Sequence, residues 1–89
     1  MLVFELARPL SSIRSDLYRN MIELLIAARK DAGLTQAEVG VRLKQRQTFV
    51  SKYELGERRL DIAEFVVVCR AIGVNPHDLI DAAEFPDRP

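Results

Sequence analysis

GLTQAEVGVRLKQRQTFVSKYELG, residues 33–56, decides the fold. It holds two helical patterns separated by Lys44-Gln45-Arg46-Gln47, a run that is polar throughout and contains neither glycine nor proline. At its start, Thr35-Gln36-Ala37-Glu38 spells a capping box. The Thr35 hydroxyl can accept from the Glu38 backbone N–H while the Glu38 carboxylate reaches back to the Thr35 N–H. A short helix is predicted over Gln36–Leu43 with Val39 and Leu43 inward. Gly40 costs such a helix about 1 kcal/mol against alanine, so its presence predicts that another helix passes very near. The next helix is predicted over Gln47–Leu55, with Val50 and Tyr53 on one side and Gly56 as its stop. Its other side, Gln47, Thr48, Ser51 and Lys52, is rich in hydrogen-bonding groups and has little to bury.

Working outward, Leu17, Met21, Leu24, Leu25, Ala28 and Ala32 recur at three- and four-residue steps, which predicts a helix over residues 15–32 stopped by Gly33. Asp61-Ile62-Ala63-Glu64 is a second capping box. It opens a helix that runs to Ile72, with Ile62, Phe65, Val66, Cys69 and Ile72 toward the core and Gly73 as the stop. Asn75-Pro76 reads as N-cap and first residue of a fifth helix, whose Leu79, Ile80, Ala82 and Ala83 close the bundle. The expected organisation is an N-terminal extension at 1–14, a helical domain at 15–84 with its motif at about 36–55, and a tail at 85–89. Residues 2–6 have two readings. They are either a short extra strand, which would need a partner such as a symmetric copy of the chain, or a segment that packs on its own domain or frays.

At 89 residues the chain is one domain, and 48% hydrophobic with 29% charged residues suits a folded globule. The net charge is zero, which taken alone argues against a nucleic-acid partner. Its distribution argues otherwise. Residues 42–59 hold six basic and two acidic side chains, and residues 60–89 hold two basic and six acidic ones. A basic stretch by itself is often no more than solvated surface, so the motif has to carry the inference. Cys69 is the sole cysteine and lies in an apolar run, as a small buried hydrophobe would. This excludes a disulfide framework and a cysteine metal cluster. The first residues are apolar but short, interrupted by Glu5 and without a basic start, a poor match to a signal peptide. No run approaches membrane-spanning length, and a cytoplasmic location is expected. His77 is the only histidine, with no nucleophile, base and orienting group around it in the pattern and no glycine-rich phosphate loop. No catalytic residue, metal ligand or cofactor is implied, and no enzyme is expected.

Two short helices joined by a tight turn, the second with a polar outer face, let one helix cross a DNA backbone while the next enters the major groove. That explains the polar middle of the opening stretch. Base edges and phosphates need amide, hydroxyl and cationic partners. From Arg29 to about Leu79 the chain also resembles the Cro and phage-repressor group of helix-turn-helix regulators, the XRE family. The likeness runs through Arg29, Gly33-Leu34-Thr35-Gln36, Glu38-Val39-Gly40, Leu43, Phe49-Val50-Ser51-Lys52-Tyr53-Glu54, Gly56 and Arg58-Arg59, and is ungapped from Leu34 to Asp61. It implies an all-α, compact five-helix repressor-like domain.

The resemblance puts Gln47, Thr48 and Lys52 at base-reading positions. Side-chain chemistry agrees, since Gln can pair with adenine, Lys with guanine and the Thr methyl with thymine. Gln36 becomes a contact to phosphate or to a neighbouring base-reading side chain, Ser51 a phosphate or helix-surface residue, and Arg58 and Arg59 phosphate anchors. Arg29 and Glu54 take positions that pair in many relatives as a partly buried salt bridge. Phe49 either packs over the inter-helix turn or touches a thymine methyl. Two positions depart from the family pattern. Lys44 stands where glycine is usual, so either it is strained by about 1 kcal/mol or the turn is rebuilt. Arg46 stands where a capping Ser or Thr is common and cannot accept a hydrogen bond. Both departures add positive charge beside the expected DNA backbone.

The expected function is a sequence-specific, double-stranded-DNA-binding transcriptional regulator, a repressor that occupies a palindromic operator as a homodimer. The alternative is a protein-interaction module of the same fold, such as an antitoxin-like partner whose acidic C-terminal half grips a basic protein.

Overall fold

In the computed structural model, residues 9–87 are described, and they form five helices with no strand among them. These are α1 (Leu10–Asp31), α2 (Gln36–Leu43), α3 (Gln47–Leu55), α4 (Ile62–Ile72) and α5 (Pro76–Glu84). The boundaries of α2 and α3 match the sequence reading, and α1 starts at Leu10 rather than Ser15. Its cap is Pro9, whose side chain makes no capping bond, so the usual N-terminal signal is missing there. The strand considered for residues 2–6 falls outside the described residues.

Caps drawn from the sequence form as expected. Thr35 accepts from the Glu38 N–H at 3.1 Å and Glu38 accepts from the Thr35 N–H at 2.9 Å. Asp61 and Glu64 make the same reciprocal pair at 2.7 and 3.0 Å, and the Asn75 side chain caps α5 ahead of Pro76. The end of α2 is the unusual one. After α1, α3 and α4 the left-handed residue is glycine, whereas after α2 it is Lys44, at φ 56° and ψ 40°. The turn is not rebuilt. Lys44 N–H still bonds to the Val41 carbonyl at 3.1 Å and Gln45 N–H to the Gly40 carbonyl at 2.9 Å. A side chain held at positive φ costs about 1–2 kcal/mol, part of which glycine would give back as unfolded-chain entropy. Lys44→Gly is therefore expected to stabilise the protein by about 0.5–1 kcal/mol, seen as a rise of a few degrees in thermal midpoint. An unchanged or lowered midpoint would contradict the strain.

Gly40 is needed for a different reason than expected. A Cβ there would sit 3.0 Å from the Gln45 carbonyl oxygen and 3.3 Å from the Arg46 carbonyl group. The close neighbour is the returning turn of the chain itself, not another helix.

Leu25, Val39, Val50, Tyr53, Val68 and Cys69 form the driest part of the core, with Ile22, Phe65, Ile72 and Leu79 around them. Every helix contributes, and each fully buried aliphatic or aromatic side chain stabilises by about 1.5–3 kcal/mol. Burial pushes the Cys69 thiol up to about 11, in keeping with a packing role. The inward face of α4 differs from the one read from the sequence. Val68 is buried, while Ile62 is 86% and Val66 38% exposed. In α5, Leu79 and Ala83 face inward and Ile80 and Ala82 are exposed. Long-range polar ties brace the helices. Tyr18 accepts from the Leu60 N–H at 3.0 Å, Asn20 donates to the Ala83 carbonyl at 3.2 Å, and Arg42 donates to the Ala71 carbonyl at 2.9 Å. Together these tie α1 to α5 and to the loop before α4, and α2 to α4.

Candidate nucleic-acid interface

Helix α3 is amphipathic: its inner face is hydrophobic and most of its outer face is polar. Val50 and Tyr53 are fully buried, and Phe49 is partly buried with its ring edge-on to Tyr53 at 5.7 Å. Gln47, Thr48 and Lys52 are exposed. Ser51 is partly buried and donates to the Thr48 carbonyl at 3.2 Å, as a helix-surface residue does. Arg46 is the N-cap in extended conformation with no side-chain capping bond, and both Arg46 and Lys44 are exposed beside the start of α3.

The outer face is anchored from within. Arg29 Nε and Nη2 meet Glu54 Oε2 and Oε1 at 2.7 and 3.1 Å, and Arg29 Nη1 donates to the Leu34 carbonyl at 2.9 Å. Only 11% and 6% of these two side chains are exposed. Such a pair needs good geometry and further hydrogen bonds to offset its desolvation, and here it has both. Hydrogen bonding to Glu54 pushes the Arg29 guanidinium above its ordinary value, so it stays charged. From Glu54 the chain of bonds turns outward. Gln36 Nε2 donates to Glu54 Oε1 at 2.8 Å, and Gln36 Oε1 accepts from Gln47 Nε2 at 3.4 Å. A buried charge thus connects α1, α2 and α3 and ends at an exposed amide on the first turn of α3.

The family resemblance implies the Arg29–Glu54 pair but not Gln36 as its third partner. It also misses the setting of Arg58 and Arg59. Arg58 donates to both Glu64 carboxylate oxygens, at 3.0 and 2.7 Å, and its guanidinium lies 4.7 Å from the Phe49 ring centroid. Bonds from Arg58 and from the Asp61 backbone hold the Glu64 carboxyl below its ordinary value. Phe49 accordingly packs between α3 and this ion pair rather than reaching out. Arg59 stacks over Tyr18 at 4.4 Å and remains exposed. Neither arrangement has a periodicity to betray it. The signals were composite: a Glu already committed to a capping box and an aromatic on a neighbouring helix. His77 is exposed on the first turn of α5. Among the described residues no cluster of His, Cys, Asp or Glu could hold a metal ion, and no helix is long and apolar enough to cross a membrane.

The helix-turn-helix family profile matches residues 25–79, which include all of α2, α3 and α4, and the chain belongs to that family, in its XRE branch. The class so defined is a DNA-binding regulator of the XRE type. Among solved structures the chain is similar to an XRE-family-like protein from Pseudomonas syringae pv. tomato str. DC3000. The two are 42% identical with a TM-score of 0.82, over 88% of this chain and 95% of that one. None of the curated proteins matches it.

Proposed function

We propose that the protein is a repressor that binds a palindromic operator as a homodimer, with α3 of each copy in the major groove. The observation that carries this reading is the buried Arg29–Glu54–Gln36 chain ending at Gln47. A helix whose outer face is merely solvated has no need of such an anchor. In this reading Gln47, Thr48 and Lys52 read base edges, while Gln36, Lys44, Arg46, Ser51, Arg58 and Arg59 contact the backbone or support those that do. The half-sites lie about one helical turn apart, because one recognition helix reads only a few base pairs. Arg58, already paired with Glu64, acts chiefly as a brace for Phe49 and α3. Lys44 then accounts for its strained position: it puts charge beside phosphate where glycine would put none.

Selection of bound duplexes from a random pool, at low and physiological salt, tests the proposal. A palindromic motif is expected. Gln47→Ala and Lys52→Ala are each expected to lose about 1–3 kcal/mol of discrimination at particular base positions. Lys44→Gly is expected to weaken binding to all sequences alike while stabilising the fold. Enrichment of no motif, or binding that ignores both α3 substitutions, would overturn the reading in favour of a protein-binding module.

A further inference from the structure

Two concavities of about 400 and 470 Å³ lie side by side between α1 and α5 and meet over Leu24 and Ala82. Their floor includes Leu24, Ala28, Val74 and Ala82, and their rim carries Glu23 and Asp31 from α1 with Asp78 from α5. No basic side chain is among the described lining residues. The groove thus has an apolar floor between two acidic edges. Along α1 it extends from Asn20 to Asp31, about 16 Å at 1.5 Å per residue, or three helical turns. Alanines 27, 28 and 82 keep the floor low, so that a second helix can approach closely.

We propose that this groove docks a basic amphipathic helix of another protein. Charge complementarity selects the occupant. An apolar stripe flanked by Lys or Arg would match the floor and both edges, as helix-in-groove recognition requires. A second copy meeting this one groove to groove would bring like-charged rims together, which disfavours that arrangement. No lining residue comes from α2 or α3, and the proposal therefore stands independently of the DNA reading. A partner held here would leave the outer face of α3 uncovered.

The test uses the full chain and a fluorescent peptide of about 14 residues, with leucines at helical spacing and lysines elsewhere. Two control peptides replace the leucines by serine or the lysines by glutamate. The parent peptide is expected to bind at least about tenfold more tightly than either control. Glu23→Lys with Asp31→Lys, both exposed positions, is expected to lower its affinity at least about tenfold. Should that variant not fold, Ala82→Arg at the exposed floor edge is expected to give the same loss. Amide shifts on titration are expected to cluster on Leu24, Ala28 and Ala82. Equal binding of all three peptides, affinity unchanged by the substitutions, or shifts centred on α3 would overturn the proposal.

Discussion

Replacing Glu54 by alanine is expected to destabilise the protein by about 3–5 kcal/mol, because it strands the Arg29 guanidinium in a site with almost no access to water. Arg29 would keep only its bond to the Leu34 carbonyl, and the Gln36 amide would lose its acceptor. Against a total stability of about 5–15 kcal/mol, that is a large fraction. The discriminating variant is the double one. Arg29→Met with Glu54→Leu removes both charges and keeps the volume, and replacing a buried pair in this way is often neutral or stabilising. Urea unfolding of the two single variants and the double variant should therefore show the singles far below the double. A double variant as unstable as the singles would mean that the pair contributes more than its mutual neutralisation. Where the double variant folds, its DNA binding isolates the orienting role: a stable protein with a loosened Gln47 should read its operator less selectively.

The second large effect lies in salt. If each protomer of a dimer neutralises about four phosphates, the plot of log K against log salt should fall with a slope near about −7, at roughly −0.9 per phosphate. Affinity would then drop about 10⁴-fold between 50 and 200 mM salt. Arg58 enters this prediction through its structure. Its charge is already matched by Glu64, so Arg58→Ala should change the slope less than Arg59→Ala, whose guanidinium stacks on Tyr18 without a carboxylate in that contact. A dimer slope near zero would sink the DNA reading altogether, and equal changes from the two arginines would show that the ion pair opens on the duplex.

The parts of the fold that could be read from the sequence are those marked by local chemistry. The start of α2 and the end of α3 are marked by Thr35 with Glu38 and by Gly56, each of which satisfies backbone groups at a definite residue, whereas the limits between them fall at Lys44 and Arg46, which carry neither a glycine nor a side-chain cap. Helix α1 begins at Leu10 behind Pro9, a cap with no side-chain acceptor, so no local signal marks its start. The inward face of α4 is not legible because Phe65-Val66-Val67-Val68 is apolar on consecutive positions, and such a run has no periodicity to point inward. Packing then chose Val68 over Val66. In the candidate interface, the outward residues of α3 were legible as the polar half of a helix that buries Val50 and Tyr53. The Gln36 bond to Glu54 and the Arg58 grip on Glu64 were not legible, because they depend on how three helices and a loop meet.

The bond chain from Arg29 also has a direction. Arginine can only donate and a carboxylate can only accept, so Glu54 obliges the Gln36 amide to turn its nitrogen inward and its oxygen outward. That oxygen in turn draws one N–H of Gln47, leaving the carbonyl and the second N–H of an exposed side chain available to a ligand. An acceptor beside a donor is the pattern complementary to the N6 and N7 edge of adenine. The buried charge thereby sets the polarity of a surface amide three side chains away. Removing the Glu54 carboxylate would leave that amide free to present its two ends in either order.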